Sequence, residues 1–447
     1  MLRAADHFRS NFRLAYPVML SMLGQVMTGV ADSIMVGWTG ATPLAASSFA
    51  NTFFSVTIMF GIGVSYGITP LVAQAAGRGD HEDAAQVLRH GTVINLLTGV
   101  LLTVLLFALM PFMHHMGQPE EVSRQAVPYL MIVAPSILPT MVFQTYRQFS
   151  EGLQHTRAAM TIVIVSNLLN ILLNYLLIFG HAGFPAMGLE GAGWATLVSR
   201  VVMGVAMAAY VYRHEFFRRY RSGFGWGGYA SGRFRSLLRI GMPAGAQFIM
   251  EGGAFGASSI MMGWLGTVPL AAHQIALNLA TISYMTTSGM GAAAVVKVGR
   301  YAGRGDRRNL TLAANTMFYM SAAVMALWAM LFIFGRHALP RFYVDDPAVL
   351  EVATGLMIVS AFFQISDGLQ VVCAGALRGL QDVQVPVLLI FTAYWILALP
   401  FGYLLAFTLG MGPMGIWVGL LTGLSLTAVA LLWRFRQLAR RIGVVNV

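Results

Sequence analysis

Twelve long hydrophobic runs, almost free of charge, leave this chain one environment in which to fold. They lie near 14–38, 44–68, 91–113, 125–146, 158–180, 191–212, 240–263, 269–296, 310–334, 349–374, 385–408 and 414–433. Each is close to the roughly 20 residues that an α-helix needs to cross a bilayer. In hydrocarbon the backbone must satisfy its own hydrogen bonds, which a helix does within one segment. The expected fold is therefore all-α and integral to a membrane, with twelve transmembrane helices. Only 10% of the residues are charged, against about 25% in soluble proteins.

The basic balance, a net charge of +11, invites a nucleic-acid reading that the placement of charge argues against. With the N-terminus inside, 24 of the 28 Lys and Arg fall in the N-terminal tail, the even-numbered loops and the C-terminal tail. Arg124, Arg336 and Arg341 are on the other side, and Arg200 lies within a helix. That asymmetry is the positive-inside pattern, and it places both termini in the cytoplasm. The charge is a topology signal, and no nucleic-acid partner is expected. Cys373 is the single cysteine, so no intrachain disulfide can form. The start, MLRAADHFRS, is polar and has no small-residue cleavage site, so no removed signal peptide is expected.

The pentapeptide AGRGD occurs at 76–80 and at 302–306, separated by 302 − 76 = 226 residues. An adhesion tripeptide is one reading, but Gly and Asp are ordinary turn formers. Sliding one half onto the other by 226 residues gives the better one. Pro17 falls on Pro243, SIMVGWTGATPLAA (33–46) on SIMMGWLGTVPLAA (259–272) and Gly63 on Gly289, without a gap. Farther on, EGLQ (151–154) meets RGLQ (378–381), one residue out of register. The chain is a duplicated six-helix unit. Because six is even, both halves enter the membrane in the same direction, as in parallel-repeat transporters. The expected organisation is an N-lobe at 1–212, a cytoplasmic linker at 213–239 and a C-lobe at 240–447.

Of the 17 acidic residues, three fall well inside hydrophobic runs: Asp32, Glu251 and Asp367. An ionisable side chain there costs at least about 2.5–3.5 kcal/mol, which makes it a functional candidate. The bland alternative is a carboxyl serving only as packing glue, which explains one isolated acid better than three. Neither first-helix acid is shared between halves, since Asp32 maps to Ser258 and Glu251 to Gln25. Asn167, Asn170 and Asn174 recur at helical spacing on one face of helix five. If that helix lies beside helix one, Asn170 and Asn174 are candidate partners for Asp32. Gln25, His273, Gln274 and Asn278, with Asp32, are candidates for a substrate cavity. His273 is open to two readings, titration near neutral pH or a structural hydrogen bond. Arg200 is expected to hold a helix contact through backbone carbonyls. His114 and His115 lack matching ligands, and no Walker loop, HExxH or GxSxG motif occurs. No catalytic constellation or organic cofactor is therefore expected. Energy would come from an ion gradient, for which three lone carboxyls suit H⁺ or Na⁺.

At these residues the chain resembles the MATE (multidrug and toxic compound extrusion) family, and within it the NorM-like bacterial branch. The resemblance runs over essentially the whole chain. It rests on YPVMLSMLGQVMTGVADSIMVG in helix one, GMPAGAQFIMEGGAF in helix seven, PLAAHQIALN entering helix eight and SDGLQVVCAGALRGLQD from helix ten. Glu251 together with Asp367 is the most telling combination. The resemblance implies a C-lobe cation site at Glu251 and Asp367, the only metal site expected should the ion be Na⁺. It implies an N-lobe site at Asp32, Asn170 and Asn174. It further implies export of cationic, amphiphilic compounds by antiport with Na⁺ or H⁺, as lobes rock in a bacterial inner membrane, by a monomer. Phe363 stands where NorM-like chains can carry Tyr, which removes a possible oxygen ligand. The alternative within the same superfamily is a flippase for lipid-linked oligosaccharides or peptidoglycan precursors. Such anionic cargo would call for a cavity rich in Arg or Lys, whereas the buried charges here are acidic.

Overall fold

Each hydrophobic run becomes one helix, or two in tandem, in the computed structural model, which describes residues 4–225 and 227–442. The first three residues of the polar start, Trp226 in the glycine-rich stretch and 443–447 lie outside the described residues. All regular structure among the described residues is helical. The first half comprises α1 (Ala4–Gly37), α2 (Ala41–Ser65), α3 (Ile68–Arg78), α4 (His81–Leu109), α5 (Glu120–Val133), α6 (Ile137–Gly152), α7 (Arg157–Phe179) and α8 (Gly188–Arg213). The second comprises α9 (Ser231–Leu265), α10 (Thr267–Gly303), α11 (Arg307–Gly335), α12 (Pro347–Gly379), α13 (Gln384–Phe391), α14 (Leu399–Tyr403) and α15 (Pro413–Arg441).

Taking α2 with α3, α5 with α6 and α13 with α14 as continuous spans, the described residues form twelve helical spans, the fold the hydropathy pattern predicts. Among the described residues, eleven are long and apolar enough to cross a membrane. The exception is α9, which carries the seventh hydrophobic run. Gln247, Glu251 and a stretch rich in Gly and Ser (252–259) dilute its apolarity.

Duplication is visible in local chemistry. Gly79 ends α3 with φ 76°, and Gly305 follows α10 with φ 68°, a left-handed backbone that glycine adopts without steric cost. Asp80 then caps α4 by accepting from the Asp83 main-chain N–H at 2.9 Å, and Asp306 caps α11 from Asn309 at 3.0 Å. The repeated pentapeptide is thus a helix stop followed by a helix start. The later repeat behaves the same way: Gln154 and Gln381, last residues of EGLQ and RGLQ, take φ 69° and 62°.

By packing, the chain divides into a unit of Leu20–Gly245 and a unit of Met1–Met19 with Ala246–Val447. The divisions fall two residues beyond Pro17 in α1 and two beyond Pro243 in α9. Proline removes a helix hydrogen bond and allows a bend, so it lets one helix serve two packing environments. In the Leu20–Gly245 unit, Phe54, Leu106, Leu130, Ile137 and Met141 lie in the core between α2, α4, α5 and α6. The stretch 213–239 packs as part of this unit. A 3-10 helix, Glu215–Phe224, buries Phe217 and Tyr220, and their rings meet Phe149 of α6. Arg89 of α4 donates to the carbonyls of Ser222 and Gly227. Residues 231–239 already belong to α9. In the other unit, Met262, Phe332, Phe363, Tyr394 and Trp417 form one core cluster. A second holds Leu14 and Ala15 of α1 with Met290, Met317 and Phe435.

Pro400 shapes the eleventh span. It cannot donate one turn back, and the helix widens to π-helix at Thr392–Ala398 and again at Leu404–Thr408. Such widened turns recur at functional sites. This one carries Tyr394 and Trp395.

Candidate functional site

The first acid cluster is built by α1, α7 and α8. α7 packs beside α1, where Asn167 Nδ2 donates to the carbonyl of Gly24 at 2.7 Å. A Cβ on Gly24 would stand 3.1 Å from that amide, so the glycine lets the helices approach. About two turns farther along both helices, Asn174 Nδ2 donates to Asp32 Oδ1 at 2.5 Å. Thr196 Oγ1 of α8 donates to Asp32 Oδ2 at 3.4 Å. Asn174 Nδ2 also reaches Asn170 Oδ1, at 3.3 Å. Both asparagines are fully buried while Asp32 is half-buried. The Asn170 side chain also acts on the Asp32 carboxyl, while Asn174 Oδ1 is buried without a partner among the described residues, which is rare in native structures. An acceptor oxygen thus stands free next to a carboxylate.

Arg200 of α8 is close enough to Asp32 for their charges to interact. It donates to Ser136 Oγ at 2.7 Å and its guanidinium stands 4.5 Å from the Phe54 ring centroid. Its helix contact therefore runs through a hydroxyl and an aromatic face, not the backbone carbonyls expected. An exposed, apolar cavity of about 610 Å³ opens along α1 at Val26, Val30, Ser33, Gly37 and Trp38. Asp32 does not line it.

The second cluster is built by α9, α12 and the π-helical turn. Glu251 Oε1 accepts from Gln247 Nε2, one turn back on α9, at 3.1 Å, and from Gln370 Nε2 of α12 at 3.1 Å. Tyr394 donates its hydroxyl to Gln370 Oε1 at 3.3 Å. Trp395 Nε1 donates to the Met250 carbonyl at 3.0 Å. Arg378 Nη2 approaches Gln247 Oε1 to 3.5 Å. Asp367, one turn from Gln370 on α12, is buried at 6% exposure and within Coulombic reach of Glu251. Phe363 packs against Phe255 and Trp417. The phenol nearest this cluster comes from Tyr394 of the widened turn.

The other sequence candidates are dispersed. His273 is fully buried. Trp417 Nε1, which can only donate, gives a 3.0 Å hydrogen bond to its Nδ1, and Nε2 meets Ser259 Oγ at 3.0 Å. Both ring nitrogens are engaged in the core. Gln274 is exposed and reaches Ser259 Oγ at 3.5 Å. Asn278 is exposed and Gln25 is half-buried.

Sequence reading missed Thr196, Gln247, Gln370, Tyr394 and Arg378 as neighbours of the acids. The four-residue spacing of Gln247 and Glu251 was the available signal. It also placed Arg147 and Glu151 beyond the end of helix four. Instead α6 runs to Gly152, and the two form an ion pair at 2.7 Å with side-chain exposures of 1% and 4%. Glu151 is thus a buried acid neutralised by its own helix.

The family model MatE matches residues 17–176 and 243–404, one match per half. A probable multidrug resistance protein NorM of Rhizobium meliloti (strain 1021) is 35% identical over 441 residues, 98% of this chain and 94% of that protein. A protein of the same description from Agrobacterium fabrum (strain C58 / ATCC 33970) is 33% identical, covering 98% and 95%. Among solved structures, the eukaryotic MATE transporter AtDTX14 superposes with a TM-score of 0.88 at 19% identity, over 98% of this chain and 99% of that one. An outward-facing multidrug resistance MATE family transporter of the MOP superfamily gives 0.89 at 18% identity, over 98% and 96%. Two family matches in register with the internal repeat, and relatives of this similarity over nearly the full length, lead to one conclusion: the chain belongs to the MatE family of multidrug efflux transporters, in its NorM-like branch.

Proposed function

We propose that the chain is a secondary active antiporter that exports cationic, amphiphilic compounds in exchange for an ion, by alternating access. The observation that carries this reading is the pairing of Glu251 and Asp367 among neutral amides within membrane-spanning helices. Two neighbouring carboxyls in a low-dielectric setting repel when both are charged, and a bound cation relieves that repulsion. A proton or Na⁺ and a cationic substrate therefore compete for one acidic region. Exchange follows if the competitors favour different arrangements of the protein, since equal affinity for both shifts nothing. Acidic clusters also suit cationic cargo better than the anionic cargo of a lipid-linked glycan flippase.

Of the two ions, the geometry supports H⁺. Na⁺ is a hard cation that calls for several oxygen ligands. Here Gln247 and Gln370 present N–H groups to Glu251, and Phe363 offers no oxygen. A proton needs only the carboxyls. The names of the relatives support small-molecule cargo, and the distribution of Lys and Arg supports an inner-membrane protein with both termini in the cytoplasm. No cofactor beyond the coupling ion is invoked, and the working unit is a monomer.

The test is export of ethidium from proteoliposomes under an imposed H⁺ or Na⁺ gradient. Export driven by the H⁺ gradient alone is expected. Normal export by a protein carrying Asp32→Asn, Glu251→Gln and Asp367→Asn together would sink the reading.

A further inference from the structure

The repeat register sets Arg378 opposite Glu151, since EGLQ and RGLQ coincide. In the first half Glu151 is closed on Arg147, one turn back on the same helix. In the second half the position matching Arg147 is Ala374, so Arg378 does not repeat that ion pair. Its guanidinium instead approaches Gln247 Oε1, and its charge acts on Glu251. Gln247 and Glu251 themselves match Ser21 and Gln25 in the first half. Acid, amide and cation thus differ from their first-half counterparts and stand together in the second half.

A guanidinium can only donate. Gln247 must therefore turn its oxygen to Arg378, and the same rotation presents Nε2 to Glu251, as found at 3.1 Å. We propose that Arg378 is a positioning residue for Glu251: through Gln247 it fixes which end of the amide faces the carboxyl, and its charge tunes ion exchange there. The inference rests on the reading of Glu251 as a coupling group. The other groups that act on the site are Asp367 of α12, Tyr394 of the π-helical turn and Tyr284 of α10, which acts through Tyr394. None of them is a cation. Among the described residues, Arg378 is the cation whose charge acts on Glu251.

The experiment measures ethidium export against pH in proteoliposomes for the intact protein, Arg378→Gln, Arg378→Lys, Gln247→Leu and Glu251→Gln. Losing a nearby cation favours the protonated carboxyl, so Arg378→Gln is expected to move the profile midpoint upward by about 0.5–1 pH unit. Arg378→Lys keeps the charge and one donor, and should hold the original midpoint to within about 0.2 unit. Gln247→Leu should shift the midpoint in the same direction as Arg378→Gln. An Arg378→Gln protein with reduced export but an unmoved midpoint would overturn the proposal, as would an Arg378→Lys shift as large as that of Arg378→Gln. If Arg378→Gln does not fold, Gln247→Leu decides by the same criterion. Glu251→Gln separates the two readings. pH-dependent export that survives it removes the coupling role of Glu251 itself, whereas its loss with an unmoved Arg378→Gln midpoint removes only the role of Arg378.

Discussion

Asp32 and Glu251 occupy the first helix of their respective halves, yet the two halves surround them differently. Asp32 is held by an asparagine and a threonine, and one oxygen of its asparagine pair is left over among the described residues. Glu251 receives two glutamine N–H groups and lies within Coulombic reach of a second carboxyl, with a cation one amide away. The frame beneath them is nonetheless one frame, with matched prolines, glycine stops and aspartate caps. The halves share a scaffold and differ in the chemistry placed on it. Since Asp32 matches Ser258 and Glu251 matches Gln25, neither cluster is a copy of the other. They are expected to do different work.

The sharpest way to break that comparison is to remove the charges of the second cluster while keeping its shape. Glu251→Gln and Asp367→Asn are each expected to reduce gradient-driven export at least about 100-fold, a loss of roughly 2.7 kcal/mol, with expression and membrane insertion unchanged. Transport at matched protein level checks it. If either amide variant exported normally, the two-carboxyl site would not be the coupling site.

A second prediction contrasts the matched positions Glu151 and Arg378. Glu151→Ala strands Arg147 in a buried site, which is expected to cost about 3–5 kcal/mol of stability. Replacing both members by apolar residues, Arg147→Met with Glu151→Leu, should restore most of that loss. Thermal unfolding in detergent measures both. The restored double variant should keep the pH profile of export, because this pair is closed on itself. A displaced midpoint would show that the first half also feeds its buried charge into coupling.

Much of this architecture could be read from the chain beforehand, and the reasons are local. Bilayer crossing writes itself as runs of apolar residues, and duplication as a fixed offset, so twelve spans and two halves were legible. The link from Asp32 to Asn174 was also within reach, since three asparagines at helical spacing mark one face. What escaped depends on neighbours distant in sequence. Arg147 and Glu151 look like a polar turn until α3 and α4 are packed around α6. There Thr69 reaches Gln148 at 2.5 Å and Asn95 reaches Thr145 at 2.8 Å. Gln370 and Tyr394 look unremarkable until α12 brings the first to Glu251 and the widened turn brings the second to Gln370. Hydropathy averages over a window, and it undervalues α9 because Gln247, Glu251 and the stretch rich in Gly and Ser make that helix less apolar.

A smaller effect is expected at the first cluster. Asp32→Asn should lower export about fivefold to tenfold, roughly 1–1.4 kcal/mol, because a neutral amide can still bond Thr196 and Asn174. Asn174→Ala should have a similar or lesser effect by removing the 2.5 Å donor. Measured on the same proteoliposomes, losses as deep as those of Glu251→Gln would erase the distinction between the clusters.

The smallest expected effect tests the shared frame. Asp80 and Asp306 make the same N-cap, so Asp80→Ala and Asp306→Ala should each destabilise by about 0.5–2 kcal/mol, and by similar amounts. Their surroundings differ in one respect: Asp306 Oδ2 also accepts from the Asn309 side chain at 2.6 Å. Partial burial pushes the Asp306 carboxyl up, but the Asn309 side-chain and main-chain donors, with Arg304, pull it below the ordinary carboxylate value. A carboxyl lowered in the folded state binds its proton more readily once unfolded. Its stabilisation is therefore full above the ordinary carboxyl range, near pH 4, and is lost as pH falls through the lowered folded value. The gap in melting temperature between the intact protein and Asp306→Ala should accordingly stay level from pH 8 to about pH 5 and narrow below about pH 4. A gap that stayed constant through that acid range would mean the cap works without its charge. A gap present for Asp306→Ala and absent for Asp80→Ala would mean that the two turns share a sequence but not a function.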